Sequence, residues 1–232
     1  MESPRDPGAV VRGFTLVELI VVLVIIIIIT TITITSQTKY NRSLILTNTT
    51  YTVALSIREA QSLGLSSRNF GGIQNAGYGI NFLNTQKTQY RIFADIEDTP
   101  SFSACPTGTV DTPEAKPGNC LYDTDTEILT TYNLNKGFQI HDFCGLQTSN
   151  NARVCGSVAP WTSMNITFLR PNTEAIMSME NSSGVPVSLK CAVIWIAPPS
   201  GAGDNLKCIV VSQVGQVSVP QACPAANFTT CP

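Results

Sequence analysis

Between Phe14 and Ile29 every residue except Thr15 and Glu18 is apolar. An apolar stretch of about twenty residues is long enough to cross a bilayer as a helix. It therefore limits the fold more than any other part of the chain. Glu18 stands out inside it, because a carboxylate in a span costs a few kcal/mol and is usually there for a purpose, with a partner. Residues 1–13 hold Pro4, Pro7, Gly8, Arg5 and Arg12 and show no helical period. The two arginines precede the span and, under the positive-inside rule, stay cytoplasmic, so that everything after the span lies outside. A secretory signal would place small residues for cleavage after the apolar run, and Ile29-Thr30-Thr31-Ile32-Thr33 has none.

No Pro or Gly occurs from Phe14 to Leu63, so nothing obliges the helix to stop at the membrane surface. Leu46, Val53, Ile57 and Ala60 recur at helical spacing and predict one buried face. Gly64 is the expected C-terminal stop. The β-branched run from Thr30 to Thr35 has reduced helix propensity, and local loosening is expected there outside the bilayer.

The Gly13-Phe14-Thr15-Leu16-Val17-Glu18 segment and the apolar run behind it resemble the prepilin signal of type IV pilins and type II secretion pseudopilins. The resemblance implies peptidase cleavage between Gly13 and Phe14, N-methylation of Phe14, and an assembly role for Glu18. In a filament that acid would neutralise the new amine of a neighbouring subunit's Phe14. Implied partners are other pilins or pseudopilins, the prepilin peptidase and an inner-membrane assembly platform. The implied location is a single-pass membrane protein with its C-terminal domain outside the cytoplasm, later part of a filament. Ile57-Arg58-Glu59-Ala60-Gln61, Gly77–Phe82, Phe93-Ala94-Asp95 and Ser212–Val217 look like the minor pseudopilin group of the secretion-H and fimbrial-T type. That group has a Gly-Arg pair where this chain reads Gly215-Gln216. The resemblance points to a structural subunit, a minor one. The alternative is an uncleaved, membrane-anchored, disulfide-rich binding or adhesion domain.

The expected organisation is a leader at 1–13, a membrane or filament-core half-helix at 14–35, a soluble half-helix at 36–66, and a β domain at 72–232. From Gly77 the period becomes two. Tyr78–Leu83 and Gln89–Asp95 read as a hairpin around a polar turn. Further strands are expected at Glu127–Leu134, Phe138–Phe143, Met164–Leu169, Glu174–Met179, Val187–Ile196, Lys207–Ser212 and Gln216–Val219. The fold class is α+β: a long N-terminal helix packed on an antiparallel sheet with disulfide-pinned loops.

All eight cysteines lie between Cys105 and Cys231, which favours disulfides in an oxidising compartment. There is no C-x-x-C, and His141 is the sole histidine, so a zinc site is the weaker reading. Sequence neighbours suggest Cys105/Cys120, Cys144/Cys155, Cys191/Cys208 and Cys223/Cys231, with the second-last pair bridging a hairpin and the last clipping an irregular tail. Asp95, Glu97 and Asp98, with Asp123, Asp125 and Glu127, form two acidic runs. They read as solvated loop acids, or alternatively as oxygen ligands for calcium, with Asp95, Asp123, Asp125 and Glu127 the candidate set. No other cofactor is expected.

From Gly71 on, eight basic side chains face twelve acidic ones, which disfavours nucleic-acid binding. His141, within a strand-like run, reads as an ordinary strand histidine. No nucleophile elbow, phosphate loop, zinc-protease or dinucleotide motif occurs, and an enzyme is not expected.

Overall fold

A computed structural model describes residues 13–66, 68–73, 76–97, 102–105, 118–199, 206–225 and 227–231. The expected leader lies almost wholly outside these residues, as does Asp98. One helix, α1, runs unbroken over Leu16–Leu65, fifty residues or about 75 Å. Ten strands follow among the described residues: β1 Gly77–Leu83, β2 Gln89–Asp95, β3 Ile128–Asn133, β4 Gln139–Gln147, β5 Arg153–Cys155, β6 Trp161–Phe168, β7 Ala175–Asn181, β8 Pro186–Ala197, β9 Lys207–Ser212 and β10 Val217–Ser218. The protein is α+β, with one antiparallel sheet.

The chain divides into two compact units at Ser43/Leu44, within α1. In the first, the segment Leu16–Ile34 is long and apolar enough to cross a membrane, and none of it is buried. By length and composition it suits a membrane anchor or a signal sequence equally. The expected loosening at Thr30–Thr35 is absent, since α1 is continuous there. Thr30, Thr31 and Thr33 each donate their hydroxyl to the carbonyl four residues back, at 2.8 Å. Back-bonding of this kind hides the hydroxyl against its own helix and leaves the backbone ladder intact.

In the second unit α1 buries Leu46, Thr50, Val53, Ala54, Ser56, Ile57 and Ala60, the helical face read from the sequence with Thr50, Ala54 and Ser56 added. Against it lie Ile80, Phe82, Ile92, Met164, Ile166, Phe168, Ala192, Ile194 and Ile196 from the sheet. Polar ties fix the register of helix on sheet: Ser56 Oγ with Tyr90 Oη at 3.0 Å, and Arg58 Nη2 donating to the Val217 carbonyl at 2.9 Å. Gln61 Nε2 donates to the Gly215 carbonyl at 3.1 Å, and Tyr132 Oη to Glu59 Oε2 at 3.0 Å. Gly64 does not end the helix, which continues to Leu65. A Cβ there would stand 2.3 Å from the Phe168 carbonyl oxygen, so glycine is required by close packing on β6.

The sheet order is β10-β9-β8-β7-β6-β1-β2-β3. The twelve-residue β8 organises its centre. One edge pairs with β9, and the other is shared along its length, with β7 opposite Pro186–Leu189 and β4 opposite Leu189–Ala197. β5 hangs from β4. Period-two alternation then sends neighbouring β8 residues to opposite faces. Ala192, Ile194 and Ile196 join the helix-side core, whereas Cys191, Val193 and Trp195 form a second cluster with Leu146, Cys208, Val210 and Phe228.

That second face explains the disulfides. Cys105–Cys120 and Cys144–Cys155 form as expected. The other two differ: the bonds are Cys191–Cys231 and Cys208–Cys223. The β8/β9 register pairs Cys208 with Trp195 and Cys191 with Ser212, so the two cysteines are too far apart along the hairpin to bridge. Both point to the face away from the helix, and the C-terminal segment crosses that face to meet them. Phe228 lies over Trp195 with ring centroids 6.2 Å apart.

Candidate functional site

At the N-terminal end, Gly13, Phe14 and Thr15 precede the helix, and Phe14 is 81% exposed. The Glu18 backbone N–H donates to Thr15 Oγ1 at 3.3 Å, and the Leu19 N–H to the Thr15 carbonyl at 3.2 Å. Thr15 is therefore the N-cap and Glu18 the third residue of the helix, the Thr-x-x-Glu spacing of a capping box. A carboxylate in the first turn also complements the positive end of the helix dipole. Glu18 thus has a local reason to be where it is, one the T-L-V-E pattern carried and the sequence reading did not use. It is also exposed, open to a further partner.

The two acidic runs come together, though with a different employment from the one a calcium loop would give them. Asp95 is buried, and its two oxygens accept the N–H groups of Asn119 and Cys120 at 2.9 and 2.8 Å. Burial holds its pKa well above the usual carboxylate range, with the Cys120 N–H pulling against that and the nearby Glu127 charge adding to it. Gly118, at φ +119°, lets the loop backbone close over this carboxylate, which a Cβ would overlap at 2.3 Å. Glu127 is fully buried. Its Oε1 accepts the N–H groups of Ile96 and Glu97, both at 3.0 Å, and its Oε2 the Asp123 N–H at 2.9 Å.

Asp123 accepts from Asn119 Nδ2 at 2.8 Å, and partial burial pushes its pKa up to about 6, against that bond and helped by Glu127. Asp125 takes the Tyr122 hydroxyl. The acids are thus acceptors that tie the Cys105–Cys120 loop and the start of β3 to the end of β2. Where three metal-ligand atoms do converge among the described residues, the sets are Asp95 with Cys105 and Cys120, and Asp142 with Cys144 and Cys155. Every cysteine in them is oxidised to a disulfide. The four acids Asp95, Asp123, Asp125 and Glu127 form no such set.

His141 lies in β4, half-buried, and lines a cleft with Asn84, Lys87, Asp142 and Ser157. The β1–β2 turn had read as a plain polar connection. Only the fold brings it beside β4 and the residues after β5, and nothing in the local sequence announces that meeting.

Comparison of the chain with protein-family models, with curated protein sequences and with solved structures finds no match to any of them.

Proposed function

We propose that this protein is a structural subunit, of the minor class, of a type IV pilus or type II secretion pseudopilus. In this reading a prepilin peptidase cuts after Gly13 and methylates Phe14, and the subunit assembles through α1. The observation that carries the reading is one helix with two environments. An exposed Gly13-Phe14 junction leads at once into an apolar segment that none of the described residues buries, and the same helix ends as the core of a disulfide-bonded domain. A simple anchor needs no such continuity, whereas lateral packing of helices does. The exposed Glu18 carboxylate supports the same role, because cleavage would create a Phe14 amine that needs a counter-charge in an apolar setting.

Intact mass and N-terminal sequencing of the protein from a membrane fraction test this. A chain beginning at N-methylated Phe14 is the expected result, and one that keeps Met1 would leave an uncut anchored domain instead. Glu18→Ala should leave the outer domain folded and abolish entry into filaments. Normal incorporation of that variant would remove the assembly role.

A further inference from the structure

The two ends of the sheet are unlike. At one end β10 is two residues long, and Pro220 follows close behind it. At the other, β3 runs six residues and pairs only with β2 among the described residues. The outer edge of β5 is three residues long and carries the exposed Arg153. Proteins guard edge strands by keeping them short or by placing charge or proline on them, because an open row of N–H and C=O groups invites another strand. β3 has only a bulge at Leu129, near its start. From Thr130 to Leu134 it carries neither charge nor proline.

One hydrogen bond fixes where the backbone of this run points. The Leu134 N–H donates to the Thr88 carbonyl at 2.8 Å, in the register that pairs Asn133 with Gln89 and Tyr132 with Tyr90. Hydrogen-bonded and non-hydrogen-bonded pairs alternate along an antiparallel ladder. Thr130, Tyr132 and Leu134 therefore turn their N–H and C=O toward β2, and Thr131 and Asn133 turn theirs outward. Both outward residues are exposed, and no described backbone group bonds to that side of them. Two donors and two acceptors in step make one half of a ladder.

A second copy does not fit as the other half. β3 against β3, antiparallel about Thr131, would satisfy the same groups through a two-fold axis normal to the sheet. Because α1 lies on the face of the sheet, that axis would reverse the direction of one helix relative to the other. One membrane could not then receive both Leu16–Ile34 segments. Pairing with β10 of a second copy would offer two residues only. The occupant is then a strand of another protein. A charged side chain on it would find no counter-charge along Thr130–Leu134, whereas threonine and tyrosine pair well with β-branched and aromatic neighbours.

We propose that β3 takes up an extended, uncharged, β-branched segment of a different protein as an added strand, held by the outward N–H and C=O groups of Thr131 and Asn133. The proposal does not rest on the filament reading. Setting aside a second copy requires only that the apolar segment sits in a membrane.

The test is amide hydrogen exchange by NMR on the full chain in detergent micelles, with a capped peptide of alternating threonine and valine as the probe. Exchange at Thr131 and Asn133 should slow by about tenfold near saturation, and Thr130 and Tyr132, already bonded to β2, should not change. Thr131→Lys places a charge on the open edge and should weaken the peptide by about tenfold. The same peptide N-methylated on every second amide should lose binding in one of its two phases, which keeps the test decisive even if the lysine variant folds poorly. The proposal is overturned if the Thr131 and Asn133 amides are protected before peptide is added, by this chain or by a second copy. It is equally overturned if the peptide leaves their exchange unchanged, if Thr131→Lys binds it as wild type, or if both methylated peptides still bind.

Discussion

The two halves of α1 have the same backbone and opposite sources of stability. In the half from Leu44, the buried positions fall on one helical face, and side chains such as Ile57 and Val53 have no exposed surface at all. In the half from Leu16 to Ile34, residues all round the helix are apolar, and all are exposed. A helix apolar on every side has no preferred face toward its own domain and must find apolar surroundings elsewhere. The first half is therefore stabilised by whatever receives it, and the second by the sheet. Glycine and threonine follow the same division. Gly64 is fixed by contact with Phe168, whereas the hydroxyls of Thr30, Thr31 and Thr33 are satisfied inside the helix itself.

Matched truncations put the largest strain on this comparison. Ile57→Ala should cost the outer domain about 2–5 kcal/mol, the range for emptying a packed aliphatic site. Ile26→Ala, in the exposed half, should change its denaturation midpoint by less than about 0.5 kcal/mol. Equal losses from the two would mean that the halves are not energetically separate. Next in size, Gly64→Ala pushes a methyl against backbone and should destabilise by about 1–3 kcal/mol, readable in the same denaturation curves. A neutral outcome would mean that α1 can slide on β6. Thr15→Ala removes the N-cap and should cost about 1 kcal/mol locally, seen as faster amide exchange at Leu16–Glu18 with an unchanged domain midpoint.

The smallest expected effect belongs to the domain alone. Asp95 and Asp123 both have folded pKa values raised above the usual range, Asp123 to about 6. The folded state therefore holds protons that the unfolded chain releases, and stability falls as pH rises above the usual carboxylate range, through about 6 in the case of Asp123. Melting temperature should be higher at pH 5 than at pH 7.5, with no matching change in the exposed half of α1. The opposite slope would show that the N–H bonds to Asp95 outweigh its burial.

What could be read in advance divides by distance along the chain. The β1–β2 hairpin was legible almost to the residue, because alternation and a polar turn are local patterns. Cys105–Cys120 and Cys144–Cys155 were legible for a related reason. Cys144 and Cys155 face each other across β4 and β5, so near neighbours in sequence are also neighbours in register. The three-residue β5 itself was too short to show a period. The Cys191 and Cys208 partners were not legible, because the pairing depends on which face of β8 each occupies and on where a patternless tail crosses. Asp95 and Glu127 looked like solvent-facing acids. Their burial depends on Gly118 and on loop backbone brought from more than twenty residues away, and composition carries no sign of that. Thr15 and Glu18 are the opposite case, a capping pair visible in four letters.

The crossed disulfides have a mechanical consequence. Tension applied at Cys231 does not have to pass through the two-residue β10, the shortest of the described strands and one edge of the sheet. It enters through the Cys191 bond, directly into β8, which is hydrogen-bonded on both sides. The Cys208 bond spreads the same load to β9. The weakest strand is thereby shielded, and a pull at that end is carried by shear across the central strands, where many hydrogen bonds must yield together.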